Sequence, residues 1–162
     1  MELQLRTAGE QDIALIAAMA DRIWKIHYPP IIGMEQVEYM LNKMYSAEAL
    51  IRQMGEGQVF RIIESDTASV GFISVSEKVE HELFLHKFYL DANVQGRGMG
   101  AAVFSQLMAM YPGVKKVRLT VNRQNYKSIN FYFKLGFTIA EVADFDIGEG
   151  YLMNDFVMEL QR

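Results

Sequence analysis

The pattern of this 162-residue chain predicts an α/β protein of the α+β type. The expected architecture is a mixed, mostly antiparallel twisted sheet of about six to seven strands flanked by about four to five helices, in a single domain over residues 1–162. Three observations predict it. Apolar residues at helical spacing fill most of the first third. Strand-like segments separated only by short turns follow in the middle and again at the end, as antiparallel neighbours require. Between those groups, a strand breaks at a glycine cluster and restarts as a helix.

Taken in order, Glu2 to Arg6 alternates Leu3 and Leu5 with polar residues and reads as a short strand. Thr7-Ala-Gly-Glu10 has capping-box spacing, and a helix is expected to about Ile26 with Ile13, Ile16, Ala20, Ile23 and Trp24 inward. Pro29-Pro30 should stop it. Further helices are expected from Met34 to about Met44 (Val37, Met40 and Leu41 inward) and from Ala47 to Met54, ended by Gly55-Glu-Gly57. Strands follow at Gln58–Glu64, Ser69–Ser76 and His81–Leu90, with Asp66-Thr-Ala-Ser and Ser76-Glu-Lys-Val-Glu as turns. The next helix should present Val103, Leu107 and Met110 on one face and end at Tyr111-Pro-Gly113. Val114–Val121 alternates as a strand. A short helix covers about Asn125 to Leu135, with Gly136 as its C-terminal glycine. Two last strands, about Phe137–Ala143 and Tyr151–Leu160, flank a loop from Asp144 to Gly150.

Composition narrows the function classes. The chain has no cysteine, which removes disulfides, thiolate zinc sites and a Cys nucleophile together, and no metal site is expected. A net charge of -4 argues against nucleic acid as partner. No apolar run approaches the ~20 residues of a membrane span, and no basic-then-apolar leader is present, so the expected location is cytoplasmic. The terminal strands offer edges through which a homodimer can pair.

The chemistry gathers at Phe88-Tyr-Leu-Asp-Ala-Asn-Val-Gln-Gly-Arg-Gly-Met-Gly-Ala-Ala102. A helix that starts at glycines leaves its first amides without intrahelical partners, and glycine keeps no side chain in a ligand's way. Those amides carry partial positive charge and suit a phosphate or pyrophosphate. Gly96-x-Gly98-x-x-Ala101 also satisfies a variant dinucleotide fingerprint. That reading needs an acid about 20 positions on, and Lys115-Lys-Val-Arg-Leu-Thr-Val121 supplies none. A second stretch, Asn125-Tyr-Lys-Ser128-Ile-Asn-Phe-Tyr132-Phe-Lys-Leu-Gly136-Phe137, places Asn125 and Tyr132 two helical turns apart on one face.

At these two motifs the chain resembles the GNAT family, the Gcn5-related N-acetyltransferases. Gln95-Gly-Arg-Gly98-Met-Gly100 fits the family's phosphate loop, (Gln/Arg)-x-x-Gly-x-(Gly/Ala). Asn125, Ser128, Tyr132, Gly136 and Phe137 match its following segment. The resemblance is specific from about Gly71 to Phe137. It implies the GNAT fold and acetyl-CoA as acyl donor. Backbone amides from Gln95, Gly96, Arg97, Gly98, Met99, Gly100 and Ala101 would hold the pyrophosphate. The strand edge at Phe88, Tyr89 and Leu90 would pair with the pantetheine arm through the backbone of Phe88 and Leu90. Asn125 would hydrogen-bond the CoA arm, and Ser128 would belong to the same cofactor-binding set. Tyr132 would protonate the departing thiolate, a reasonable role because a hydroxyl supports the developing charge. Against these stand simpler readings: Tyr132 between Phe131 and Phe133 as core, and Arg97 and Lys134 as solvated charges.

Acetyl transfer to an amine also needs a base. Family members often carry a carboxylate near the position of Phe84, which cannot serve. Period-2 alternation puts Glu82, Phe84, His86 and Phe88 on one face, so His86 stands first as base and Glu82 second. A His86 simply packed against Phe84 and Phe88, or a base acting through water, stays open. His27 is read as structural and His81 as an exposed turn residue. The acceptor side is expected in Trp24–Met54, where Tyr28, Tyr39 and Tyr45 occur with Glu35, Glu38 and Glu48, a composition that suits a cationic amine. The leading acceptor is a small amine or polyamine, a faint similarity to the polyamine-acetylating branch. A peptide or protein amine is the alternative, and a non-catalytic acyl-CoA-binding sensory domain is the rival from another class.

Overall fold

A computed structural model describes residues 2–66 and 68–162. Seven strands form a sheet in the order β1-β2-β3-β4-β5-β7-β6. They are β1 (Gln4–Thr7), β2 (Val59–Glu64), β3 (Ser69–Val79), β4 (Glu82–Leu90), β5 (Lys116–Asn122), β6 (Thr138–Gly148) and β7 (Tyr151–Gln161). Six α-helices are present among the described residues: α1 (Ile13–His27), α2 (Pro29–Ile32), α3 (Met34–Tyr45), α4 (Ala47–Gly55), α5 (Met99–Met110) and α6 (Tyr126–Leu135). The mostly antiparallel sheet agrees with expectation; the helix number exceeds it by α2.

The residues divide into two compact units, Met1–Ser76 with His86–Pro112, and Glu77–Leu85 with Gly113–Arg162. In the first, β1 pairs with β2 and β2 with β3, all antiparallel. Helix α1 buries Ile13, Ile16, Met19, Ala20, Ile23 and Trp24, as its 3.6-residue apolar period dictates. Leu3, Ile63, Val70, Leu90, Val94 and Val103 form a core cluster with the face of α5. In the second unit, β5 pairs parallel with the first residues of β4 and antiparallel with β7, and β7 pairs with β6. Val117, Leu119 and Val121 are buried along β5, and Ile129, Tyr132 and Phe137 belong to the same unit's core.

Several boundaries differ from expectation for identifiable reasons. Asp12, not Glu10, reaches back to cap: its carboxylate accepts the Gly9 amide at 3.0 Å and pairs with Arg6 at 3.1 Å, while Thr7 ends β1. The proline pair opens α2 rather than only ending α1, because proline fits the first helical turn, where no amide is needed. Glu77, Lys78 and Val79 continue β3, so the turn shrinks to Glu80-His81, with His81 at φ 61°. His81 is more than an exposed turn residue. Its carbonyl accepts the Lys115 amide at 2.8 Å and its Nδ1 lies 3.1 Å from the Gly113 carbonyl. The expected loop from Asp144 to Gly150 is strand up to Gly148, turning at Glu149-Gly150 with both residues at positive φ. Met110 is exposed, Leu41 only half-buried, and the buried face of α5 is Val103, Phe104, Leu107 and Met108. Of the expected turn Asp66–Ser69, Thr67 lies outside the described residues, and the Ser65 amide donates to the Ala68 carbonyl.

Candidate active site

The first unit holds the glycine loop. Gly96, Arg97 and Gly98 take φ of 92°, 55° and 75°, three successive left-handed residues that reverse the chain before α5. A Cβ added at Gly96 or Gly98 would meet no heavy atom within 4 Å, so both glycines border open space. Two expected donors are already used: Gln95 donates its amide to Asp91 at 3.2 Å, and Met99 its amide to Gly96 at 3.1 Å. The donors remaining for an anion are the amides of Gly96, Arg97 and Gly98 and, in the first turn of α5, Gly100 and Ala101. These amides, with the positive end of a 12-residue helix, fit a pyrophosphate.

The loop is anchored by groups that motif reading missed. Asp91 receives two hydrogen bonds from Arg22 of α1, both 2.9 Å, a bidentate pair that fixes where the loop leaves β4. The Gln95 side-chain Nε2 donates to the Leu90 carbonyl at 2.9 Å, so one of the two backbone groups expected to meet the pantetheine arm already has a partner. Gly71 of β3 faces this strand end. A Cβ there would overlap the Tyr89 carbonyl oxygen and stand 3.1 Å from Leu90 Cα. A glycine inside an apolar strand was the legible signal of that close approach.

His86 is half-buried on β4, its Nε2 2.7 Å from the buried Ser76 hydroxyl. Lys87, on the opposite face, is the least expected residue of the unit. It is 5 % exposed, donates to Gln58 Oε1 at 3.0 Å, and lies over the rings of Phe60 and Tyr45. Burial lowers its pKa from 10.5 to about 8. Tyr28, Tyr45, Tyr89, Trp24 and Phe72 form an aromatic cluster in which the Tyr28 and Tyr89 hydroxyls meet at 3.3 Å. Tyr39 turns instead to Lys43. Between α1 and α3 opens a cleft of about 330 Å³ whose lining includes Asp21, Lys25, Glu38 and Tyr45. Glu35 and Glu48 are exposed and lie outside that lining.

The second unit holds Glu82, Asn125, Ser128 and Tyr132. Glu82 stands 3.8 Å from Lys116, a loose ion pair. Asn125 is 3 % exposed and caps α6, its Oδ1 accepting the Ser128 amide at 3.4 Å. The two residues are therefore brought together, in a role that also builds the helix. Tyr132, 9 % exposed, packs edge-on to Phe137 with centroids 5.4 Å apart, and Gly136 ends the helix at φ 104°. The ladder between β4 and β5 covers only Glu82–Phe84 against Lys116–Arg118.

On the face that carries Phe84 and Arg118, Asp155 of β7 is 4 % exposed. Burial raises its pKa from 3.8 to about 6, partly offset by Arg123 and by a hydrogen bond from Thr120. Among the described residues no group of three or more His, Cys, Asp or Glu is arranged to hold a metal, and no helix is long and apolar enough to cross a membrane.

Comparison with known proteins agrees with this geometry. The acetyltransferase (GNAT) domain model matches residues 30–148. A spermidine N(1)-acetyltransferase of Thermoplasma acidophilum is 25% identical over 166 residues, covering 98% of this chain and 97% of that protein. The crystal structure of the PaiA N-acetyltransferase from Thermoplasma acidophilum in complex with coenzyme A superposes with a TM-score of 0.77 at 25% identity, covering both chains fully. The peptidyl-lysine N-acetyltransferase YjaB of Salmonella typhimurium is 26% identical over 97 residues, 59% of this chain and 61% of that one. With its glycine turn feeding α5 and its Asn125–Phe137 segment in place, the chain belongs to the GNAT acetyltransferase family and is an acetyl-CoA-dependent N-acetyltransferase.

Proposed function

We propose that this enzyme, one catalytic domain over residues 1–162, transfers the acetyl group of acetyl-CoA directly to the amino group of a small amine or polyamine. The observation that carries the donor half is the left-handed Gly96-Arg97-Gly98 turn, bordered by open space at both glycines and followed by α5. Its amides take the pyrophosphate, and the Phe88–Leu90 strand end takes the pantetheine arm. Tyr132 delivers a proton to the departing sulfur, since a thiolate leaves more readily when its charge is met as it forms.

Two observations support the acceptor. The α1–α3 cleft carries the carboxylates of Asp21 and Glu38, with Lys25 paired to Asp21 at 2.8 Å, which suits a flexible cation that competes for those acids. The full-length relative acts on spermidine. A peptide lysine is the second reading, supported by the partial similarity to a peptidyl-lysine acetyltransferase. For the proton of the acceptor, His86 ranks ahead of Glu82, because Glu82 is drawn to Lys116 while the Ser76 hydroxyl orients the imidazole.

The test is CoA release from acetyl-CoA against polyamines, amino acids, aminoglycosides and lysine peptides. Turnover concentrated on polyamines supports the proposal, and turnover on peptides alone selects the second reading. Tight acetyl-CoA binding without turnover on any amine would instead favour a sensory domain.

A further inference from the structure

Resting on the assignment of the Gly96–Gly98 turn to the donor's pyrophosphate, we propose that Arg22 and Asp91 are positioning residues for acetyl-CoA, their ion pair holding the turn in its anion-binding shape. Asp91 is the node. Its amide donates to the Val70 carbonyl at 2.8 Å and ties it to β3. Its carbonyl accepts the amides of Val94 at 3.0 Å and Gln95 at 3.2 Å, which closes the turn leading into the glycines. Both carboxylate oxygens accept from Arg22, from Nε and Nη2 at 2.9 Å each. Gly96 follows five residues later, and Val94 between them is buried with Leu90 and Val103.

The glycine turn needs an external hold. Arg97 at φ 55° carries a Cβ that disfavours the left-handed region, and it stands between two glycines that take it freely. All three residues are exposed, so burial does not fix them. A turn without a hold samples other shapes, and apparent affinity falls with the fraction that stays competent to bind. Anchoring the chain at Asp91 on one side and at Val103 in the core on the other keeps that fraction high. Helix α1 is a firm place to anchor from. It buries Ile16, Met19, Ala20, Ile23 and Trp24, and Trp24 packs on Tyr89, two residues before Asp91, with ring centroids 5.8 Å apart. The guanidinium fork meets the carboxylate in a bidentate geometry that a lysine cannot reproduce.

With side chains 47% and 18% exposed, the pair adds little to global stability. Its effect is local, so donor affinity and melting temperature should separate. A guanidinium also attracts polyanionic CoA through its field alone, and the two effects have opposite signs at Asp91. Removing the carboxylate leaves the surroundings more positive, which strengthens a purely electrostatic attraction. It also releases the turn, which weakens binding.

The test is acetyl-CoA affinity by calorimetry, with melting temperature, for Arg22→Ala, Asp91→Ala and the double variant. Each single variant should bind about 10-fold more weakly, and the double variant no more weakly than either, because the two side chains act as one unit. Melting temperatures should stay within about 4 °C of wild type. Arg22→Lys should lose part of the affinity, which keeps the proposal testable should an alanine variant fold poorly. Asp91→Ala binding as tightly as wild type, or more tightly, would overturn it, as would losses that add in the double variant or Arg22→Lys equal to wild type. Gly98→Val separates the premise from the proposal. If it leaves affinity unchanged, the phosphate-loop assignment falls and this proposal with it. If it abolishes binding while the Arg22 and Asp91 variants bind as wild type, the proposal alone falls.

Discussion

Replacing Lys87 by methionine should remove a pH-dependent cost from the folded state. The ammonium has one hydrogen-bond acceptor, Gln58 Oε1, and two aromatic faces, and among the described residues no carboxylate pairs with it. Its pKa falls from 10.5 to about 8 because burial penalises the charge. At 1.36 kcal/mol per unit, charging Lys87 costs about 3 kcal/mol more in the folded than in the unfolded chain. Below the folded pKa both states are protonated and the whole cost is present. Between about pH 8 and pH 10.5 the unfolded chain binds more protons than the folded one, so this contribution to stability rises with pH. Roughly 2.5 kcal/mol of it should be recovered by about pH 10. Gln58 Oε1 keeps the Ser74 hydroxyl at 2.9 Å when Lys87 is lost, so no acceptor is orphaned. Urea unfolding of wild type and Lys87→Met at about pH 7 and about pH 10 isolates the effect as a difference of differences. The variant should gain on the wild type at neutral pH and lose that advantage in alkali. A stability gap that stays constant between the two conditions would refute the reasoning.

Gly98→Val should abolish acetyl-CoA binding in calorimetry, because φ of 75° is left-handed and the new side chain enters the open side of the loop. Far-ultraviolet circular dichroism should still report the fold, and unchanged affinity would remove the phosphate-loop assignment. Tyr132→Phe should lower kcat by ~10-fold or more with little change in acetyl-CoA affinity; an unaltered rate would leave Tyr132 as a core aromatic packed on Phe137. Gly71→Ala forces β3 away from the Tyr89 carbonyl, for a cost of about 2 kcal/mol or more. That should appear as a melting temperature lower by roughly 4 to 8 °C for a domain of this size, and an unchanged melting temperature would mean the strands separate freely.

Some functional positions were legible because they serve local chemistry. Glycines that must take positive φ, an asparagine that caps a helix and a glycine that ends one are each set by neighbours within a few residues. The same holds for the apolar faces of α1 and β5. Turn lengths were less legible: Glu77–Val79 and Asp144–Gly148 are polar or exposed, and ladder pairing, not composition, makes them strand. Arg22 and Asp91 are separated by 69 positions and no local pattern joins them.

By itself, then, the sequence determined the class of fold, the glycine turn that opens α5 and the family, because each depends on backbone conformation and short-range periodicity. Only the tertiary structure decided which charged groups are buried and which face one another. Lys87 and Asp155 look like ordinary solvated residues in a list. Their altered proton affinities arise chiefly from desolvation, and that burial exists only after the strands have paired and the helices have packed.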